Sequence, residues 1–83
     1  MPKRIVWTEP AKADIHGLDR SNAMRILSAL HRFAETGTGD VKALRGEWEQ
    51  LRLRIGDYRL FFVHSPADTI EVRRILHRKE AYR

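Results

Sequence analysis

The chain has 83 residues, of which 42% are hydrophobic and 33% charged, and its formal net charge is +5. That length holds one domain, which we expect to span residues 1–83, and the apolar fraction excludes an intrinsically disordered tail. Because it contains no cysteine and no apolar run near the ~18 residues that cross a bilayer, we expect a cytoplasmic protein without disulfides, thiolate metal sites or a membrane partner.

The first predicted element is a short strand over residues 5–7, a β-branched and aromatic run. Thr8 has the character of a helix N-cap, and Glu9 and Pro10 follow in the first turn. There an acid suits the helix dipole, and the missing N–H of proline costs nothing. We expect a short helix from this point to Gly17, which weakens the helix end.

A longer helix is predicted from Asp19 or Ser21 to about Glu35, because apolar residues recur there at helical spacing. These apolar residues are Ala23, Ile26, Leu27, Leu30, Phe33 and Ala34. Gly37 or Gly39 can provide a left-handed cap at the end of this helix. Residues 41–49 are predicted to form a loop or a brief turn.

Three strands are predicted in the second half of the chain, over about residues 50–55, 58–64 and 69–76, each bounded by turn signals. Connections this short make neighbouring strands antiparallel. The two N-terminal helices are the available cover for the apolar side of the sheet. We therefore predict an α+β fold of order β-α-α-β-β-β, in which two N-terminal helices pack on a mostly antiparallel, four-stranded twisted sheet.

An arginine ladder runs through the first of these three strands, where Leu51, Leu53 and Ile55 alternate with Arg52 and Arg54. Successive side chains of a strand point to opposite faces of the sheet. Burying two unpaired arginines would cost more free energy than burying three aliphatic side chains returns. The arginines should therefore lie on the open face of the sheet.

The other two strands carry further signals. Residues 58–64 are apolar on both parities, which predicts a central strand, and one end of this strand presents Arg59. In the last strand, Ile75 falls out of step with Ile70 and Val72. This change of parity predicts a β-bulge, or an early end of the strand, after Val72.

Positive charge is concentrated in the same half of the chain. Residues 42–83 carry ten Lys or Arg and six Asp or Glu, whereas residues 1–41 carry six and five. Twelve of the sixteen basic residues are arginine, the side chain that binds phosphate through two hydrogen bonds. The pattern favours an anionic partner, either nucleic acid or an acidic protein segment; a solubilising surface charge is the alternative explanation.

The segment from Leu44 to Tyr82 resembles the RelE/ParE superfamily of bacterial and archaeal type II toxins. The residues that carry the resemblance are Leu44, Arg45, Gly46, Leu51 to Arg59, Ile75, His77, Arg78 and Tyr82. It implies a RelE-like fold and a toxin neutralised by a co-encoded antitoxin protein. It also implies that the ribosome and mRNA are partners, that operator DNA is contacted only through the antitoxin complex, and that no cofactor or metal is used.

In the RelE branch, the resemblance implies a metal-independent mRNA endoribonuclease in which the 2′-hydroxyl attacks its own phosphodiester. By position, Arg52 would stand near the attacking hydroxyl, Arg59 would brace the scissile phosphate, and Arg78 would stabilise the developing charge or the leaving oxygen. Tyr82 would orient or deprotonate the nucleophile. Gln50 departs from the family pattern, where a second lysine can stand. The further candidates for RNA binding are Arg45, Arg54, Arg73 and Lys79.

The group that accepts the proton is left open between two residues. Arginine holds its proton too tightly to serve as a base at neutral pH. A tyrosine, with an ordinary pKa of about 10, needs nearby arginines to lower that value, whereas a histidine, near 6.5, is the easier base. Tyr82 and His77 are therefore both candidates. The alternatives without a catalytic role are an Arg54 ion pair with a nearby acid, a structural Arg59, a His77 that only bonds the backbone, and a Tyr82 that only packs.

Two other functions compete with the nuclease. A ParE-type toxin binds DNA gyrase, traps its complex with cleaved DNA, and has no active site of its own. A chain that has lost toxin activity would persist as an antitoxin-binding or autoregulatory module. The group of His77, Arg78 and Tyr82 favours the nuclease.

Overall fold

The computed structural model describes residues 3–44, 50–65 and 68–81. In chain order the elements are β1 (Arg4–Trp7), α1 (Glu9–His16), α2 (Arg20–Thr36), β2 (Asp40–Leu44), β3 (Gln50–Ile55), β4 (Tyr58–Ser65), β5 (Thr69–His77) and α3 (Arg78–Ala81). Within these described ranges, none of the helices combines the length and apolar character that a membrane span requires.

The ends of the two long helices are fixed by the residues that the sequence singled out. Thr8 caps α1, its hydroxyl accepting a hydrogen bond from Ala11 N at 3.3 Å. The carboxylate of Asp19 caps α2 in the same way. Gly37 ends α2 in the left-handed conformation, with φ of 76°, which glycine adopts without a steric penalty. The predicted bounds of both helices are confirmed to within about one or two residues.

The strands form one sheet in the order β1-β5-β4-β3-β2, so β4 is central, as predicted. The hairpins β2–β3, β3–β4 and β4–β5 are antiparallel, and β1 runs parallel to β5. A parallel pair needs a long crossover connection between its strands. Here, α1, α2 and the first three strands of the antiparallel meander make up that connection.

The prediction of four strands is wrong, because the structure has five in its described residues. Asp40–Leu44, predicted as part of a loop, pairs with β3, and Val41 lies opposite Leu53. The outer backbone groups of β3 need hydrogen-bond partners, and a neighbouring strand supplies them whatever the propensity of its own residues. The short helix α3 was also not predicted. Residues 45–49 of the predicted loop lie outside the described residues.

The hydrophobic core fills the space between the helices and one face of the sheet. From the helices it takes Ala11, Ile26, Leu30, Phe33 and Ala34, and from the sheet Leu53, Ile55, Leu60, Phe62, Ile70, Val72 and Ile75. The rings of Phe33 and Phe62 meet at its centre, with centroids 5.3 Å apart. The opposite face of the sheet has no helix from this core packed against it, so we call it the open face.

Helix α1 is fastened to the part of β5 that extends beyond β1. Pairing of β1 with β5 ends at Trp7 opposite Val72. Beyond that point the Thr8 hydroxyl donates to the carbonyl of Val72 at 3.0 Å. The carboxylate of Asp14 accepts hydrogen bonds from Ile75 N at 2.9 Å and from Arg74 Nε at 2.7 Å. At Ile75 N, the Asp14 carboxylate takes the place of the backbone acceptor that a longer β1 would have supplied.

We expect Asp14→Ala to lower the free energy of unfolding by about 1–3 kcal/mol, because the N–H of Ile75 loses its acceptor. Urea denaturation followed by circular dichroism measures this loss. Asp14→Asn is the matched control, since its amide oxygen can still accept the bond, and it should be less damaging. Equal losses in the two variants would contradict the role given to this hydrogen bond.

His64 carries a second testable contact at the far end of the sheet. Its ring packs edge-on against Phe62, and its Nδ1 lies 3.4 Å from the ammonium of Lys3. Burial, and then the charge of Lys3, lower the pKa of His64 below its ordinary value of 6.5. The folded state therefore resists protonation more than the unfolded chain. Stability that is complete above 6.5 is lost as pH falls through the folded-state pKa.

In an NMR titration we expect the pKa of His64 to lie below 6.5 and to move part of the way back in Lys3→Met. The return is partial, because burial is the larger cause. A pKa of His64 that is the same in the variant and the wild type would exclude the contribution of Lys3.

Candidate nucleic-acid interface

The arginine ladder of β3 lies on the open face, as strand alternation predicts. Leu53 and Ile55, which face the helices, are 2% and 6% exposed. Arg54, between them, is exposed, and Arg52 is half-buried. The sheet therefore separates the aliphatic and the cationic side chains of one strand onto its two sides.

The strand register aligns these cations with others in two rows across the sheet. The first row is Asp40, Arg54, Arg59 and Leu76, and the second is Lys42, Arg52, Phe61 and Arg74. Neighbours within a row have Cβ atoms about 5 Å apart. We define the basic face as the cations of these rows: Lys42, Arg52, Arg54, Arg59 and Arg74.

Like charges that lie opposite each other destabilise a sheet. Arg54 and Arg59 are such a pair in β3 and β4. The Arg59 guanidinium donates to the carbonyls of Gly56 and Tyr58, whose partial negative charge offsets part of this repulsion. Arg54 remains exposed on the open face.

Arg59 differs from its neighbours because it is only 7% exposed. Its Nη1 donates to the carbonyls of Gly56 at 2.8 Å and Tyr58 at 2.9 Å. The expectation that the end of β4 presents this arginine to the surface is therefore wrong. The guanidinium folds back onto the β3–β4 turn, in which Gly56 has a φ of 58°.

The β3–β4 turn also holds the start of α3. The backbone N–H of Arg78 donates to the carbonyl of Asp57 at 2.7 Å. The exposed guanidinium of Arg78 lies 3.8 Å from the Asp57 carboxylate, which makes a loose surface ion pair. Arg78 thus stands at the same end of the sheet as Arg54 and Arg59. The adjacent Lys79 is exposed on α3.

His77 lies on the other side of the sheet from the basic face. It is in register with Tyr58, which alternates with the open-face Arg59 along β4. The rings of His77 and Tyr58 make a T-shaped contact with centroids 5.5 Å apart. The Nδ1 of His77 accepts a hydrogen bond from Lys79 N at 3.2 Å. The structure therefore does not bring this imidazole together with Arg52 and Arg59.

The bulge predicted after Val72 is present and determines which arginines reach the open face. Phe62 pairs with Val72 whereas Phe61 pairs with Arg74, so Arg73 is the extra residue. Arg73 is exposed, and its Nη1 lies 3.2 Å from the carboxylate of Glu71. Strand β5 continues to His77 rather than ending early.

Arg74 is a residue of the basic face that the sequence reasoning missed. The signal was available, since a bulge after Val72 reverses the parity of every later residue in the strand. Hydrogen bonds to Asp14 at 2.7 and 3.2 Å fix the guanidinium plane. These bonds raise the pKa of Arg74 above its usual value, so the side chain stays cationic.

A cleft opens beside the basic face where β5 bulges. It has a volume of about 300 Å³ and is lined by Thr8, Pro10, Gln50, Arg73 and Arg74. Its walls therefore come from the start of α1, the start of β3 and the middle of β5. Polar and cationic side chains converge here from three distant parts of the chain.

Two predicted site residues, Arg45 and Tyr82, lie outside the described residues. In the part of the chain that the structure does describe, no three His, Asp or Glu side chains come together as a metal site.

A family model of the ParE toxins of type II toxin–antitoxin systems matches residues 5–82. The chain belongs to this family. A relative in the wider RelE/ParE superfamily is Toxin RelE3 of Methanocaldococcus jannaschii, which is 42% identical over 43 residues. That match covers 52% of this chain and about half, 48%, of the relative.

Solved toxin–antitoxin complexes contain chains with the same fold. The RelBE2 complex of Mycobacterium tuberculosis aligns with a TM-score of 0.80 and 24% identity over 93% of this chain and 99% of that chain. The RelB–RelE complex of Methanococcus jannaschii gives 0.74 and 25% over 93% and 94%. The RelE–RelB complex of Pyrococcus horikoshii gives 0.77 and 21% over 96% and 99%. The RelE-like fold is thus shown over nearly the whole chain.

We expect Arg59→Ala to lower the free energy of unfolding by about 1–3 kcal/mol, because two turn carbonyls lose a charged donor. The matched control is Arg54→Ala, in register with Arg59 but exposed, which should change stability by no more than about 0.5 kcal/mol. Urea denaturation of both variants gives the comparison. If the two variants are equally stable, Arg59 does not brace the turn.

Proposed function

We propose that this RelE/ParE-family toxin is an mRNA endoribonuclease that acts on the ribosome and binds the message on its basic face. The observation that carries the proposal is that Arg52 and Arg74 share one row of the open face and Arg54 lies in the adjacent row. A single-stranded message supplies both the phosphates for these cations and a 2′-hydroxyl beside each phosphate. The match to a RelE toxin over half of the chain supports the same activity.

The reaction that fits these groups is attack of a 2′-hydroxyl on the adjacent phosphodiester. The O2′–P bond forms, the P–O5′ bond breaks, and the products end in a 2′,3′-cyclic phosphate and a 5′-hydroxyl. Negative charge grows on the nonbridging oxygens in the transition state. Fixed guanidinium donors stabilise that charge more than they stabilise the ground state, and a partly buried donor is less screened by water.

Arg52 is the residue best placed for this role. It is half-buried, and it lies between Lys42 and Phe61 in its row. Arg78, more exposed at the end of the sheet, would stabilise the leaving O5′. Arg59 would act mainly by holding the β3–β4 turn, and hence the start of α3, in place. Arg45, Arg54, Arg73 and Lys79 are proposed to contact the flanking phosphates of the message.

The proton of the 2′-hydroxyl needs an acceptor other than arginine. His77 lies across the sheet from Arg52 and holds Lys79 N instead, so we assign it to positioning α3. Tyr82 follows α3 directly in sequence and is the proposed acceptor. The proton finally reaches O5′ of the leaving nucleotide, so the overall reaction is balanced without a metal.

A cognate antitoxin is the proposed protein partner. Three chains of similar fold are described in complexes of a toxin with an antitoxin. An antitoxin segment that covers the basic face would prevent the message from binding, because it would neutralise the cations and occupy the same space. Contact with operator DNA is proposed only through the antitoxin complex, and the ribosome supplies the message.

A second candidate function is inhibition of DNA gyrase, which the match to a ParE toxin model favours. Such a toxin would need no active site, and the basic face would then contact gyrase or its DNA. Expression of the protein separates the two functions. A nuclease stops translation and leaves cleaved messages, whereas a gyrase poison induces the DNA damage response.

We expect Arg52→Ala to slow ribosome-dependent cleavage of a defined message by about 100-fold, because one fixed donor to the transition state is lost. Primer extension on a purified translation reaction measures the rate. Arg32→Ala is the matched control, an exposed arginine on α2 that lies away from the basic face, and it should cleave like the wild type.

Circular dichroism of the Arg52 variant checks that the fold is kept. Intact messages in the wild-type reaction, at protein levels that arrest growth, would refute the nuclease. A DNA damage response under the same expression would establish the gyrase alternative in its place.

A further inference from the structure

The cleft beside the β5 bulge has the size and the chemistry of a site for one nucleotide. Its volume of about 300 Å³ is at the lower end of the range for small-molecule sites. Its lining combines two guanidinium groups, one carboxamide and the apolar ring of Pro10. A nucleotide presents the matching groups: a phosphate, a base edge with donors and acceptors, and a flat apolar surface.

The two arginines form the phosphate end of this cleft. Arg74 uses its Nε and Nη2 on Asp14, and a guanidinium has five N–H donors, so others remain for a ligand. The bonds to Asp14 also hold the guanidinium plane, which reduces the entropy lost when an anion binds. Arg73 is half-exposed next to it, with Glu71 on one of its nitrogens.

Gln50 supplies the recognition end. Its side chain carries both a donor and an acceptor, and it is the carboxamide among the residues that line the cleft. A glutamine amide can bond the N6 and N7 positions of adenine at once, a pairing that no pyrimidine edge offers in the same geometry. Exposed bases of single-stranded RNA are recognised through such edges and by stacking on arginine planes.

The cleft is also close enough to the proposed cleavage site to hold the same strand of RNA. Arg74 belongs to the row of Arg52, with Phe61 between them. Two strand spacings separate the backbones of Arg52 and Arg74 by about 10 Å. A message whose scissile phosphate lies at Arg52 therefore extends to the cleft within its neighbouring nucleotides.

We propose that this cleft binds one nucleotide flanking the scissile phosphate, with its phosphate on Arg73 and Arg74 and an adenine edge on Gln50. The inference deepens the proposed function and rests on it for the identity of the natural ligand. Gln50 is then the residue that sets the base preference of the toxin. The arginines contribute affinity that is the same for every base.

The test is an NMR titration of the purified protein with the four nucleoside 5′-monophosphates and with inorganic phosphate. Adenosine monophosphate should shift the Gln50 side-chain amide and bind about 5- to 10-fold more tightly than the pyrimidine nucleotides. In Gln50→Leu and in Gln50→Glu this preference should disappear while binding of the phosphate persists. Arg74→Met should weaken all four nucleotides equally, and Arg32→Ala should weaken none.

Three outcomes would overturn the proposal: equal affinity for the four nucleotides, the same preference in the wild type and both Gln50 variants, or binding of adenosine monophosphate without a shift of the Gln50 amide. The titration needs no ribosome and no cleavage. If the protein prefers adenine but leaves messages intact, the nuclease function is refuted and the nucleotide site in the cleft stands. If Gln50→Leu cleaves messages at the same sites as the wild type, the cleft does not choose the cleavage site and the nuclease function stands.

Discussion

In the described part of the chain, the helices cover one face of the sheet, and this constraint determines where the arginine side chains lie. The core lies between α1, α2 and that face, and it takes the aliphatic side chains of every central strand. Any arginine of the opposite parity must then lie on the open face or fold onto a polar partner, because an unpaired buried cation costs too much free energy. Arg54 takes the first course and Arg59 the second, whereas Arg74 stays exposed and also bonds Asp14.

The elements predicted correctly are those with local causes. Thr8, Asp19 and Gly37 fix helix ends through contacts within a few residues, so their types alone are informative. The β2 strand was missed because Asp40 and Lys42 have low strand propensity, and only the free edge of β3 brings them into the sheet. This cause is a tertiary contact, which a single sequence does not reveal.

The candidate site follows the same division. The ladder of Arg52 and Arg54 was predictable, since alternation within one strand determines its two faces. The burial of Arg59 was not, because it depends on where two carbonyls of a neighbouring turn point. The place of Arg74 on the open face could have been predicted from the sequence, because the predicted bulge reverses which face each later residue of β5 occupies. Family membership adds the toxin class, but RelE and ParE toxins share this fold, so the target must be decided by the site.

The pairing of β1 with β5 has a consequence for how the protein is made. Arg4 lies opposite Thr69, so the first strand can pair in the sheet only after residue 69 has been synthesised. Contacts between such distant residues form late, and a chain still emerging from the ribosome cannot make them. The parts of the basic face contributed by β5 are absent until the same moment. The row of the basic face that runs from Lys42 to Arg74 is therefore completed only when β5 joins the sheet.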